Sequence, residues 1–307
     1  MMNYMSHASK MTGRRLPVVR ALLMMRNLLA LSALFSLCTV SCASAASNVV
    51  TPSVKTTIEL PLQGVTLEYK ASVRLLQVLD DANASFNANA SSNENASGSI
   101  GYFPLSAQLF NKTNTESNKA NEDIEAKKRN VFNQLDAFSV EEPEANLVRQ
   151  QLASFQYLNR VFIELDRNAV ISQSDKNPLL VSSSHTNKPS ASQTQAFSLY
   201  LPQRPTSIQL MGAMKESVTM NLIEHGTLND YLDALPNGFV GESADKSLAY
   251  VVQPDGVVQT IQYAYWNEQL VYLAPGAIVF MAFYSLPSEY STLNQDIVDL
   301  LRHKVGL

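Results

Sequence analysis

The sequence predicts an α+β protein built from two tandem copies of one small unit. Three observations carry this expectation. A strand–turn–helix pattern occurs twice at a constant offset, two amphipathic helices interrupt the first copy, and the chain closes on a short amphipathic helix.

The repeat sets "VTLEYKASVRLLQVLDD" from Val65 against "VTMNLIEHGTLNDYLDA" from Val218. At an offset of 153 residues, Val65 meets Val218, Thr66 meets Thr219, Leu75 meets Leu228, Leu79 meets Leu232 and Asp80 meets Asp233. Each copy reads as a short strand, a turn and a helix with Leu at i and i+4. In the second copy Thr227 suits an N-cap, with Asp230 three residues on, and Pro236-Asn237-Gly238 ends the helix. Two unrelated strand–helix units would also show such matches by chance, but equal spacing through strand, turn and helix favours two copies of one fold.

The first unit, residues 47–204, carries foreign material. The Asn/Ala/Ser tract from Asp80 to Ser99 is expected to bury no core. Ile124, Val131, Leu135 and Phe138 then form one apolar stripe, and Leu147, Val148, Leu152, Phe155 and Leu158 another. Ser139 to Pro143 joins them, with Pro143 and nearby glutamates suited to a helix start. This predicts a helical hairpin over about 120–160. "NRVFIELD" and "AFSLYLP" read as strands on either side of a polar tract, "SSSHTNKPSASQTQ".

The second unit, residues 205–287, is compact. "TSIQLMG" and "SVTMNLI" read as strands, followed by the Leu228 helix. "SLAYVVQ" and "VVQTIQYAY" flank Pro254-Asp255-Gly256, a hairpin turn. "LVYL" and "AIVFMAFYS" complete it. Strand–strand–helix–strand–strand–strand is a β-grasp-like order. Residues 288–307 form the tail helix, with Leu293, Ile297, Leu300 and Leu301 on one side and Arg302, His303 and Lys304 at its C-terminal end.

The first 46 residues read as an export signal. Arg14, Arg15, Arg20 and Arg26 precede a 13-residue apolar run from Leu28 to Val40, shorter than the roughly 20 residues of a membrane span. Cleavage is expected near Ala45 or Ala46. Met24 would give a more ordinary start than Met1. A second reading acylates Cys42 as a lipoprotein, though Thr39-Val40-Ser41 is a poor lipobox. Both cysteines, Cys38 and Cys42, lie in this segment, so the mature chain would hold no thiol. It would also keep 18 basic against 27 acidic residues, a net charge of −9, which gives nucleic acid no basic patch. A soluble periplasmic protein is the expectation.

No catalytic or metal constellation appears. His185, His225 and His303 lack ligand spacing, and no G-x-S-x-G elbow or phosphate-binding glycine loop is present. Glu164 with Asp166, and Asp230 with Asp233, are the carboxylate pairs a glycosidase would need, but each also reads as a solvated face. Tyr250, Tyr263, Tyr265, Trp266, Tyr272, Tyr284 and Tyr290 crowd into 41 residues. They either suit sugar rings or simply fill strands. Arg74, Arg160 and Arg204 stand at element ends. Each could pair with an acidic group on a glycan or partner, or brace a loop.

"YLPQRPTSIQLMG", "AYVVQPDGVVQTIQYAYWN", "LAPGAIVFMAF" and "YSTLNQDIVDLL" resemble the capsule-biosynthesis GfcC family of Gram-negative bacteria. The resemblance runs from about Val49 to Leu301, is specific in the last ~110 residues, and is absent in the two Asn/Ser-rich tracts. It implies two β-grasp domains like those of Wza-type polysaccharide export proteins, a helical hairpin inserted in the first, and a C-terminal amphipathic helix. It further implies a periplasmic, non-catalytic protein of capsular or extracellular polysaccharide assembly or export, with no cofactor or metal. Its partner would be polysaccharide or the outer-membrane export machinery, with membrane contact only through the C-terminal helix. It puts Arg74, Arg160, Arg204, Tyr265 and Trp266 among the contact candidates. A glycan-modifying enzyme and a purely structural adaptor docking through the tail are the rival expectations.

Overall fold

The computed structural model describes residues 55–91, 101–113, 120–181 and 194–306. The expected export signal, with Cys38, Cys42, Ala45 and Ala46, lies outside them, as does His185.

The first half opens with an antiparallel pair, β1 (Lys55–Leu60) and β2 (Val65–Tyr69). β3 (Val73–Arg74) leads into α1 (Leu75–Ser91), and β4 (Gln108–Asn111) follows. Next come α2 (Ala120–Phe138), α3 (Glu144–Ala153), β5 (Arg160–Val161), α4 (Arg167–Ser172), β6 (Leu179–Leu180) and β7 (Thr194–Tyr200). The sheet order is β2-β1-β7-β4-β5, with β1 and β7 parallel, while β3 and β6 pair apart from it. The second half comprises β8 (Ser207–Gly212), β9 (Val218–Asn221), α5 (Leu228–Asp233), β10 (Ala244–Val252), β11 (Val258–Gln262), β12 (Ile278–Phe283) and α6 (Leu293–Leu301). Its order is β11-β10-β12-β8-β9, with β8 and β12 parallel.

The two sheets therefore share one plan. In each, the first strand of the opening hairpin lies parallel to the last strand of the half. The 153-residue offset recurs in the elements, since β2 and β9 begin at Val65 and Val218, and α1 and α5 at Leu75 and Leu228. α5 starts on a complete capping box. The Thr227 N–H donates to Asp230 Oδ2 (2.6 Å), and the Asp230 N–H donates to Thr227 Oγ1 (3.4 Å).

The first sheet buries one face beneath α1 and α4, with Ile58, Leu75, Leu79, Leu109, Val170 and Leu199 at the centre. The second sheet is covered on both faces. Residues such as Leu210, Val251, Val279 and Met281 face α5 through Leu228 and Tyr231. Their alternates, Val252, Ile278, Phe280 and Ala282, face α2, α3 and α6. α2 and α3 belong by sequence to the first half, yet they pack on the second sheet and on α6 as well as on each other. Gln151 of α3 ties this junction. Its Nε2 donates to the Gly212 and Met214 carbonyls (3.1 and 3.2 Å), and its Oε1 accepts from the Gly212 N–H (2.9 Å). At the start of α3 the Glu144 carboxylate accepts from the Glu242 and Ser243 N–H groups (3.0 and 3.1 Å).

The tail is woven into the body. Leu293, Ile297, Val298, Leu300 and Leu301 are fully buried against α2 and the second sheet. Beyond α6, the Leu158 N–H donates to the His303 carbonyl (3.1 Å) and the Val305 N–H to the Gln156 carbonyl (2.9 Å). The Gln108 side chain on β4 binds the Lys304 carbonyl and the Gly306 N–H. The apolar face of α6 is thus occupied by protein.

Several local expectations change. The Asn/Ala/Ser tract was expected to bury no core, but α1 runs into it as far as Ser91. Ala82 is buried and Phe86 packs on the first core, which extends a helix nucleated by Leu75 and Leu79. α3 ends at Ala153, so Phe155 and Leu158 follow the helix. "NRVFIELD" pairs only at Arg160–Val161. Beyond Ile163 the backbone turns, with the Asp166 N–H bonded to Glu164 Oε1 and Asp166 capping α4. "LVYL" forms no strand. Both edges of β12 are already paired with β10 and β8, and the Gln253 side chain binds the Tyr272 carbonyl and the Ala274 N–H instead.

Truncation after Ser288 is expected to abolish cooperative unfolding in urea. It removes five fully buried apolar side chains worth about 1.5–3 kcal/mol each, a sum comparable to the stability of a whole domain. Gln151→Leu should lower stability by about 2–3 kcal/mol, because it strands the buried Gly212 N–H and the Met214 carbonyl, while the Gly212 carbonyl keeps the Met214 N–H; the urea midpoint reports this.

Candidate functional site

The β10–β11 turn closes as its residue types dictate. The Gly256 N–H donates to the Gln253 carbonyl and the Gln253 N–H to the Val257 carbonyl, both at 2.8 Å. Gly256 takes φ +85°, and a Cβ there would lie 2.5 Å from the Phe162 ring. The turn therefore touches the first half at Phe162. Three arms meet here: the segment after β5, the hairpin turn and the C-terminal tail.

Arg160 sits at their junction and is only 5% exposed. Its Nη2 donates to the Pro254 carbonyl (2.6 Å) and reaches the Ala107 carbonyl at 3.5 Å, while its backbone N–H donates to His303 Nδ1 (3.2 Å). Its Nη1 is buried and has no hydrogen-bond partner. No carboxylate lies within 4 Å of its guanidinium among the described residues. Arg302 approaches from the tail, where its Nε donates to the Gly256 carbonyl (2.8 Å). The Phe162 ring touches both guanidinium groups, with centroid distances of 5.5 Å to Arg160 and 4.5 Å to Arg302.

A cleft of about 630 Å³ opens beside this junction. Arg160, Phe162 and Phe103 give it a cationic base and aromatic walls, and Glu164, Asp166 and Asp255 give it carboxylates. Burial pulls the Arg160 guanidinium down to about 10; nearby Asp255 opposes that shift and Arg302 adds to it, so the group stays charged at neutral pH. Burial, with Lys127, Arg302 and Arg160 nearby, pulls the His303 imidazole down to about 4. His303 is therefore neutral at pH 7, which suits an Nδ1 that accepts from Arg160.

The carboxylate pair is engaged in structure. Asp166 accepts from the Asn168 N–H as the N-cap of α4 (2.9 Å). Glu164 accepts from the Asp166 N–H and pairs with Lys176 (3.1 Å), and these bonds hold its carboxyl below the ordinary carboxylate range. A general acid needs its proton near neutrality, so an ionised Glu164 fits hydrogen bonding to hydroxyls better than proton delivery.

The other sequence candidates scatter. Arg204 is exposed, and its guanidinium lies 5.6 Å from the Phe103 ring, at the rim of the cleft. Arg74 is exposed on β3 and donates through Nη1 to the Asn177 carbonyl (2.9 Å), which braces the segment before β6. Tyr265 and Trp266 are 97% and 77% exposed on the β11–β12 connection, with Leu270 and Tyr272 also exposed on that loop. None of these four lines the cleft. Tyr263, by contrast, is buried and donates to the Asp245 carbonyl. Sequence reading missed Phe103, Phe162 and Arg302. Phe162 stood inside a predicted strand, and Arg302 read as a helix-end cation. Phe162 stands two residues after Arg160 and Arg302 directly follows α6, and position is the signal these two offer.

Among the described residues no group of three or more His, Cys, Asp or Glu side chains is placed to hold a metal ion, and no helix is long and apolar enough to cross a membrane.

Residues 216–306 match the family model described as capsule biosynthesis GfcC C-terminal. The C-terminal third of this chain is thus similar to that family. A relative named "Uncharacterized protein YjbG", from Escherichia coli (strain K12), is 28% identical over 164 residues, which cover 52% of this chain and 60% of that protein. The matched region supplies Asp255, Gly256, Arg302 and His303 to the junction, whereas Arg160 and Phe162 come from the chain before it.

The His303 pKa gives a pH test. Its folded value, about 4, lies below the unfolded value of about 6.5, so the unfolded chain binds more protons between them. Stability is expected to fall as pH drops from about 6.5 to 4, by on the order of 1–3 kcal/mol. His303→Asn should flatten that part of the curve in urea titrations at stepped pH.

Proposed function

We propose that this chain is a periplasmic, non-catalytic protein that takes part in the assembly or export of capsular or extracellular polysaccharide. It holds a saccharide segment in the Arg160 cleft. The GfcC match supports the process. The observation that carries the mechanism is the cleft itself, where aromatic walls from Phe103 and Phe162 stand beside Arg160, Glu164, Asp166 and Asp255. Aromatic faces stack on sugar rings, and charged planar groups bond pairs of hydroxyls. Export rests on the apolar run from Leu28 to Val40 and the small residues before Ala46.

Each half is read as a β-grasp unit, because both sheets have the order hairpin, last strand, then third and fourth strands, with the first and last strands parallel. The helices α2 and α3 are then an insertion in the first unit that serves the second. A docking role for the tail is disfavoured, since its apolar residues are already buried. The exposed Tyr265 and Trp266 form a separate surface that an export partner could cover.

Gene deletion should reduce the amount or chain length of surface polysaccharide. Complementation with Phe103→Ala should restore it poorly, and with Glu164→Gln plus Asp166→Asn should restore it at least in part. Unchanged polysaccharide in the deletion strain would sink the proposal. Full loss with Glu164→Gln alone, in a protein of normal stability, would favour a glycan-modifying enzyme.

A further inference from the structure

The unpartnered nitrogen of Arg160 asks what it is for. A buried guanidinium normally finds partners for its donors, because an unmet charged donor is costly. Here Nη2 is satisfied by the Pro254 carbonyl, while Nη1 meets neither a hydrogen-bond partner nor solvent. The point a Cβ on Gly256 would occupy lies 3.5 Å from Nη1 and 2.5 Å from the Phe162 ring, so ring and nitrogen crowd the same spot. Phe162 is nevertheless 43% exposed and borders the cleft. The half-exposed Phe162 ring thus lies close to Nη1 and also borders the open volume.

The charges around this nitrogen favour an anion. Arg302 adds a second guanidinium on the Phe162 ring. His303 is neutral. The nearest opposing group is Asp255, whose Oδ1 accepts from the Val257 N–H. The other two cleft carboxylates are committed, Glu164 to Lys176 and Asp166 to the start of α4.

We propose that the cleft is an oxyanion site in which Arg160 Nη1, uncovered by rotation of Phe162, binds a carboxylate or phosphate carried on a saccharide, with Arg302 beside it. This rests on the saccharide-binding reading above and narrows it to acidic sugars. Rotation of Phe162 admits the anion, and the Gly256 backbone leaves the space the ring and the anion exchange.

The test is calorimetric titration of the purified protein with glucose, glucuronate, glucose 6-phosphate and inorganic phosphate. The charged sugars are expected to bind roughly tenfold or more tighter than glucose. Phe162→Ala should strengthen their binding, because the ring no longer covers Nη1. Arg160→Lys should erase the preference for charge, with a melting temperature recorded to show that it folds. Since Arg160 is buried, Arg302→Gln provides a second variant, expected to weaken charged-sugar binding in a folded protein. Glucuronate binding alone identifies a carboxylate. Binding of glucose 6-phosphate and inorganic phosphate alone identifies a phosphate. Either supports the site. Glucose bound as tightly as the charged sugars overturns the oxyanion site while leaving a saccharide cleft in place. Charged sugars that bind Phe162→Ala no better than the unaltered protein, or that bind neither, also overturn it. The polysaccharide phenotype of the deletion strain stands apart from all these outcomes.

Discussion

Every residue of β12 is buried, and that constraint organises the molecule. A strand buried on both faces forces its sheet to be covered twice. α5 is one turn and a half long and covers one face through Leu228 and Tyr231. The other face, with Phe280, Ile278 and Ala282, has no helix of its own within the second half before β12 ends. α6 supplies part of the cover, and α2 and α3, placed by the sequence inside the first half, supply the rest. The two halves are bound together because one cannot bury its sheet without the other's insertion.

The same interdependence shapes the cleft. Arg160 belongs to the first sheet, its Nη2 partner Pro254 to the second sheet's hairpin, and its backbone partner His303 to the tail. A cationic group is held in a largely apolar junction by carbonyls from segments 53 and 94 residues away, and its backbone N–H by an imidazole nitrogen 143 residues away. Carbonyl dipoles offset part of the desolvation of the charge without neutralising it, which leaves a guanidinium whose field reaches into the cleft. The region matched by the family model contributes the turn and tail, so the junction forms only where that region meets the chain before it.

Some of this was legible in the sequence for clear reasons. Pro254-Asp255-Gly256 makes a turn because Gly256 accepts a positive φ. Thr227 and Asp230 cap α5 because their spacing sets side chain against backbone. The stripes Ile124–Phe138 and Leu293–Leu301 name their buried faces by period alone. Arg160 was picked out among apolar neighbours, and it proved buried. Tyr265 and Trp266 were also picked out, yet they project outward, because composition records that a residue is aromatic and not which way its loop turns. α1 outran its expected end, since a helix already anchored by Leu75 and Leu79 propagates through alanines that a composition count assigns to a polar tract.

Local chemistry, then, was decided by the sequence itself: the turn at Gly256, the caps, the apolar faces of the helices, and the repeat at 153 residues. The turn, the caps and the apolar faces depend on neighbours within one or two turns of chain, and the repeat is read by comparing residue types directly. Only the tertiary structure decided that α2 and α3 serve the second sheet, that α6 is interior, and that Arg160, Phe162 and Arg302 share one spot. Those facts depend on which buried surfaces lack a cover and on contacts spanning up to 198 residues. Periodicity says that a helix has an apolar face, but the partner of that face is settled by burial across the whole chain.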